Sequence, residues 1–159
     1  MIARTDFDGK LQGSMVQSNR FLVVDDNREF AQDLCELLEL EGTHGVIALD
    51  AEEALEQLER ESFQGIFTDL RLPGQSGVDL IEELNRRGLS VPSVVMTAYA
   101  DEQVVERAQS AGAIDVLSKP LDIERWLALA RRLMSTSNSG PLNAGDSATP
   151  PSSVSRERL

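Results

Sequence analysis

Five side chains with the chemistry to handle a phosphoryl group each follow a short apolar segment of this sequence: Asp25, Asp26, Asp69, Thr97 and Lys119. A carboxylate can accept a phosphoryl group covalently, and clustered carboxylates repel one another unless a cation lies between them. Oxygen ligands in a small acidic cleft suit Mg²⁺, which keeps several waters and binds few protein groups. A lysine and a threonine would complete the neutralisation of the phosphoryl oxygens. These residue types predict Mg²⁺-dependent transfer of a phosphoryl group to an aspartate.

Each of these residues has a simpler explanation when it is taken alone. An acidic residue after a strand usually caps the next helix, and Asp50 is well explained in that way. Independent capping does not explain carboxylates after the first and third apolar segments together with Lys119 after the fifth. The set is therefore better explained as one site.

The apolar segments that must position this site have the pattern of strands buried on both faces, because they are mostly apolar and do not alternate. They cover residues 21–25, 45–49, 65–69, 92–97 and 114–117. Each is followed by a segment with helical periodicity. Capping residues precede the helices and glycines follow several of them, namely Asp50, Ser76, Asp101, Asp122, Gly42, Gly88 and Gly112. Five βα units in so short a chain predict an α/β fold with an open, doubly wound parallel sheet. In such a sheet ligands bind at the carboxyl ends of the strands.

Four segments resemble the signature segments of the receiver domain family of two-component systems. They are FLVVDDN at 21–27, TDLRLPGQSG at 68–77, TAYAD at 97–101 and SKPL at 118–121. The resemblance covers residues 20–134 in the family's order and spacing. It implies a five-stranded parallel sheet with the flavodoxin-like order 2-1-3-4-5 and five helices.

The resemblance also implies a role for each acidic residue. Asp69 would be the phosphoacceptor. Asp26 and Asp69 would bind Mg²⁺ directly, the backbone carbonyl of Arg71 would be a third protein ligand, and Asp25 would contribute through water.

For the phosphoryl group itself, the resemblance implies two further contacts. Thr97 would bind one phosphoryl oxygen after transfer. Lys119 would pair first with Asp69 and then with the phosphate, and its bond to Pro120 would be cis. The phosphoryl donor would be a histidine kinase or a histidine phosphotransfer protein. The downstream protein target would bind the face formed by the fourth helix, fifth strand and fifth helix. Beyond self-catalysed phosphorylation and slow autodephosphorylation, no enzyme activity is expected.

One position departs from the family pattern. The family usually has Tyr or Phe three residues before the lysine, and this sequence has Val116. Tyr99 could replace that aromatic only in part. Val116 leaves open an alternative, a pseudo-receiver that binds its partner without phosphorylation.

Two other classes of protein fit the motifs poorly. A haloacid-dehalogenase-type phosphatase would need an acidic residue two positions after its nucleophile, where this sequence has Arg71. A flavin-binding protein would need a phosphate-binding loop after the first strand, where the residues at 25–27 would repel phosphate.

Composition and charge limit the partners and the location. The formal net charge is −12 at pH 7, and it lies within residues 19–134 because charges balance before and after that segment. Such a surface repels nucleic acid. Without a long apolar run or a secretory signal, a cytoplasmic protein is expected. We expect a flexible arm at 1–18, the receiver domain at 19–134 and a disordered Ser/Pro-rich tail at 135–159, with no output domain.

Overall fold

The computed structural model describes residues 19–139, in which five strands alternate with five helices. The strands are β1 (Arg20–Val24), β2 (His44–Ala48), β3 (Gly65–Asp69), β4 (Ser93–Thr97) and β5 (Asp115–Ser118). The helices are α1 (Arg28–Leu40), α2 (Ala51–Arg60), α3 (Gly77–Arg86), α4 (Glu102–Ala111) and α5 (Ile123–Ser139). All neighbouring strands are parallel, in the order β2-β1-β3-β4-β5. The predicted open sheet, its strand order and its five helices are confirmed.

The central strands carry apolar residues in succession because helices cover both faces of the sheet. On one face, Leu22 and Ile66 pack in a buried cluster with side chains of α2 and α3. On the other face Phe67 lies between Phe21 and Trp126 of α5, with ring centroids 5.6 and 5.0 Å away. Burial on both faces explains why these strands do not show the alternating pattern of a half-exposed sheet.

The helix starts are fixed by side chains that accept hydrogen bonds from the first turn. The N-cap residues of the first four helices are Asn27, Asp50, Ser76 and Asp101. At α3 the reciprocal bonds between Ser76 and Asp79 form the complete capping box that their spacing predicts. At α2 the second bond differs, because the Glu53 side chain accepts from the amide of Leu49 rather than from that of Asp50.

The last helix is longer than the sequence indicates. Residues 135–139, predicted as the start of a disordered tail, continue α5 to Ser139, because extending an existing helix costs far less than starting one. The predicted arm at 1–18 and the rest of the predicted tail lie outside the described residues. Among the residues that are described, no helix is long and apolar enough to cross a membrane.

Candidate functional site

The ends of four parallel strands bring the five predicted side chains of the site to one edge of the sheet, and Arg71, predicted to bind through its carbonyl, follows β3 by two residues. Asp25 and Asp26 follow β1 directly, Asp69 and Thr97 are the last residues of β3 and β4, and Lys119 follows β5. One carboxylate oxygen from each aspartate lies within 4.8 Å of the other two. The donor set is all oxygen and strongly anionic, which suits a hard divalent cation such as Mg²⁺.

Lys119 connects two of the three carboxylates. Its Nζ donates to Oδ2 of Asp25 at 2.9 Å and lies 3.4 Å from Oδ1 of Asp69. Its backbone amide donates to the carbonyl of Thr97 at 2.8 Å, which joins the end of β5 to the end of β4. The bond to Pro120 is cis, as expected.

The three aspartates differ in burial. Asp25 is 1% exposed, and besides Lys119 its carboxylate accepts the amide N–H of Asn27 at 2.9 Å. The side chain of Asp69 is 14% exposed, whereas Asp26 is exposed. Asp25 is therefore the most buried of the three and is bonded directly to protein groups, which its predicted role through water does not anticipate.

Burial and neighbouring charge set the protonation of the phosphoacceptor candidate. Desolvation by burial raises the pKa of the Asp69 carboxyl above its ordinary value, and the carboxylate of Asp25 raises it further. Lys119 and the amide of Leu70 lower it, and they offset only part of the rise. A cation placed between the carboxylates would favour the ionised form of Asp69.

Thr97 is buried, and its hydroxyl oxygen accepts the backbone N–H of Tyr99 at 3.0 Å. Because this bond occupies a lone pair, the hydroxyl hydrogen remains available to donate. The exposed ring of Tyr99 lies under the guanidinium of Arg71, with 4.9 Å between the guanidinium carbon and the ring centroid. This stacked pair stands beside the acidic residues, at the rim of the site.

Two residues near the site were not predicted to belong to it. The Phe30 ring lies under the Lys119 ammonium, with Nζ 4.4 Å from the ring centroid, and Asn27 contacts Asp25. The sequence pattern places Phe30 only on the apolar face of a helix, so no signal in it indicated this contact. Asn27 has the residue type of an N-cap, which could have been predicted.

Val116, which stands where the family has an aromatic residue, is half-buried. It packs against a cluster formed by α3, β4 and α4 that includes Val78, Val95 and Ala108. Valine thus supplies an aliphatic contact to this cluster where the family has a ring.

Comparison with known proteins agrees with this geometry. The model of the response regulator receiver domain family matches residues 21–131. A response regulator receiver protein of Anaeromyxobacter sp. is 38% identical over 110 residues, which are 69% of this chain and 46% of that protein. The response regulator protein PilR of Pseudomonas aeruginosa is 40% identical over 110 residues, 65% of this chain and 23% of PilR.

A solved structure of a receiver domain is also similar to this chain. The beryllofluoride-activated NtrC4 receiver domain dimer has a TM-score of 0.70 and 28% sequence identity, and the match covers 75% of this chain and 98% of that one. The chain thus spans less than half the length of the two curated relatives named above, while it matches almost the whole of an isolated receiver domain. Together with the family match over residues 21–131, these similarities show that the chain belongs to the response regulator receiver domain family of two-component systems.

Proposed function

We propose that this chain is a phosphorylation switch that accepts a phosphoryl group on Asp69 from a histidine kinase or a histidine phosphotransfer protein. The observation that carries the proposal is the position of Asp69 among two further carboxylates, with Lys119 3.4 Å from its Oδ1. We place the reaction in the cytoplasm. Self-phosphorylation and slow hydrolysis of the product are the only catalysis that the site needs.

Mg²⁺ would be held by Asp26 and Asp69 directly, by the backbone carbonyl of Arg71, and by Asp25 through water. When bound, the ion supplies positive charge that offsets the repulsion between these carboxylates and an anionic phosphoryl donor. The all-oxygen donor set within 4.8 Å supports this assignment.

In the transfer step, a carboxylate oxygen of Asp69 attacks phosphorus as the bond from phosphorus to the donor's imidazole nitrogen breaks. The electron pair of that bond leaves with the nitrogen. Lys119, which already lies beside Asp69, moves its ammonium to one phosphoryl oxygen. Thr97 donates its free hydroxyl hydrogen to another. Both contacts neutralise charge that develops on the phosphoryl oxygens.

The downstream target is a protein that binds the face formed by α4, β5 and α5. Thr97 ends β4 and Lys119 follows β5, the two strands next to α4, so their movement toward a phosphoryl group is the shortest route from the site to that face. Only Ala108 and Ala111 of α4 are buried, which leaves this helix lightly anchored. Two apolar residues of the same region, Ile114 and Ile123, are exposed. The net charge of −12 disfavours nucleic acid as a direct target.

Intact mass spectrometry after incubation with acetyl phosphate and Mg²⁺ tests the proposal. We expect the protein to gain one phosphoryl group, and we expect Asp69→Ala to gain none. The matched control is Asp50→Ala, which removes another strand-end aspartate that only caps a helix, and it should still be labelled. Persistent labelling of Asp69→Ala would contradict the assignment of the acceptor.

A further inference from the structure

The ammonium of Lys119 has a third neighbour besides Asp25 and Asp69, the aromatic ring of Phe30. Nζ lies 4.4 Å from the ring centroid, within the roughly 6 Å over which the face of an aromatic ring attracts a cation. Phe30 is half-buried and stands in the first turn of α1. The ammonium therefore contacts one ring face in addition to the two carboxylates.

Four contacts, the first and last of which involve Asp25, fix the position of the Phe30 ring. Asp25 accepts the amide N–H of Asn27 at 2.9 Å, and the side chain of Asn27 accepts the amide N–H of Phe30 at 3.1 Å. The ring of Phe30 contacts Lys119, and Nζ of Lys119 donates a hydrogen bond of 2.9 Å to Asp25. The start of α1 and the lysine are thus positioned by the same buried aspartate.

A ring holds an ammonium differently from a carboxylate. The ring face attracts the charge and excludes water, but it accepts no strong hydrogen bond. The N–H groups of Lys119 therefore remain free to exchange Asp69 for another anionic oxygen. A carboxylate in the place of the ring would compete with that oxygen, and an aliphatic side chain would exclude water without attracting the charge.

We propose that Phe30 is a positioning residue that holds the Lys119 ammonium beside Asp69, ready to move to a phosphoryl oxygen. The inference rests on the proposed function, because it assigns Lys119 to the incoming phosphoryl group. It adds a residue on α1 to a site otherwise made at the ends of strands.

The experiment compares rates of phosphorylation by acetyl phosphate at saturating Mg²⁺. Phe30→Leu, which keeps an apolar side chain without the ring face, should lower the rate by about twofold to tenfold, the range that corresponds to one cation–π contact. Phe30→Trp should keep the parent rate, because the tryptophan ring attracts cations most strongly. Phe30→Met is a second ring-free variant in case Phe30→Leu folds poorly.

A double-mutant cycle separates positioning from simple packing. Lys119→Met keeps an unbranched apolar side chain and removes the positive charge. In that background Phe30→Leu should have no further effect on the rate. An equal loss in both backgrounds, or no loss in either, would overturn the proposal.

An NMR measurement separates failure of this inference from failure of the proposed function. The ring should shift the signals of the Lys119 ε-methylene protons upfield in the parent protein, and Phe30→Leu should abolish that shift. A missing ring-current shift would overturn the contact itself. A parent protein that shows the shift but accepts no phosphoryl group would contradict the proposed function and, with it, the role of Phe30.

Discussion

At the scale of single residues, Asp25 and Asp26 are neighbours in sequence with different surroundings. Asp25 is buried and already bonded to Lys119 and to the amide of Asn27. Asp26 is exposed, and within the described part of the chain its carboxylate has no hydrogen bond or ion pair. A carboxylate without such partners can bind a cation without first breaking other bonds.

We therefore expect Mg²⁺ binding to depend more on Asp26 than on Asp25. Asp26→Asn should weaken Mg²⁺ binding at least about tenfold, as expected for loss of a direct ligand, and Asp25→Asn by about threefold. Isothermal titration of each variant with Mg²⁺ measures both losses. Equal or reversed losses would contradict the assignment of Asp26 as the direct ligand.

A second residue of interest lies in the core. Burial raises the pKa of the Cys35 thiol from 9.0 to about 11, and the nearby charge of Glu39 adds to the rise. Because the folded state holds the proton more tightly than the unfolded state, this group stabilises the fold fully below pH 9. That contribution is lost as the pH rises from 9 toward 11.

The expected loss at Cys35 is about 1.4 kcal/mol by pH 10, since one pKa unit corresponds to about 1.36 kcal/mol. Urea unfolding of the parent protein and of Cys35→Ala at pH 8 and pH 10 measures it. Other groups titrate equally in both proteins, so only the difference between them reports the thiol. A difference that stays constant between the two pH values would show that the thiol pKa is not raised.

At the scale of elements, the connection between β3 and α3 folds back tightly onto the end of β3. The amide of Gly77 donates to the carbonyl of Leu70 at 2.8 Å, and Arg71 and Ser76 form an antiparallel bridge. A Cβ atom at Gly77 would collide with the backbone carbonyl of Asp69. The start of α3 can approach Asp69 this closely only because residue 77 has no side chain.

Gly77→Ala should therefore impair both stability and phosphorylation. The obstructing atom belongs to the backbone of Asp69, so relief of the collision moves the proposed acceptor itself. A displacement of about 1 Å can cost a hundredfold in rate. We expect the rate of labelling by acetyl phosphate to fall at least about tenfold and the melting temperature to fall as well.

Gly74→Ala is the matched control in the same connection. It places alanine at a φ of +83° with no atom within 4 Å of the new Cβ. It should therefore cost about 1–2 kcal/mol of stability and leave the labelling rate nearly unchanged. Equal rates for Gly77→Ala and the parent protein would contradict the importance of the close approach.

The elements also show which features a sequence can predict. Strands, caps and the edge occupied by Asp69 follow from local patterns, because apolar runs and capping residues act over a few neighbouring positions. The contact between Phe30 and Lys119 joins residues far apart in the chain, and it depends on how α1 lies against the edge of the sheet. The extension of α5 was missed because its last residues, rich in serine and threonine, have poor helix propensity and gain their helical structure from the preceding turns.

At the scale of the whole molecule, the proposed phosphorylation would add about −1.5 to −2 charges at one edge of a protein that is already strongly acidic. In the proposed mechanism Thr97 and Lys119 would meet that charge. Thr97 ends β4 and Lys119 follows β5, the two strands that flank α4 in the chain. With Val116 in place of a ring, side chains on this face have less to rearrange. The two states should therefore differ by only about tenfold in partner affinity, or about 1.4 kcal/mol.

NMR shift mapping with beryllofluoride, a phosphoryl mimic, checks this transmission. Shifts should extend from the acidic site into residues 103–111 and 116–126, and Asp69→Ala should show none of them. Shifts confined to the acidic site would favour a module that binds its partner without phosphorylation.

Because Trp126 is buried against the sheet, its fluorescence can report changes in the packing of the sheet. It is the only tryptophan in the sequence, it is fully buried against Phe67, and its indole N–H has no hydrogen-bond partner among the described residues. Its fluorescence should therefore be emitted at short wavelength and resist quenching by iodide. Phe67 lies two residues before Asp69 on β3, so a red shift of this emission would report loosening of the strand that ends in Asp69, without any attached dye.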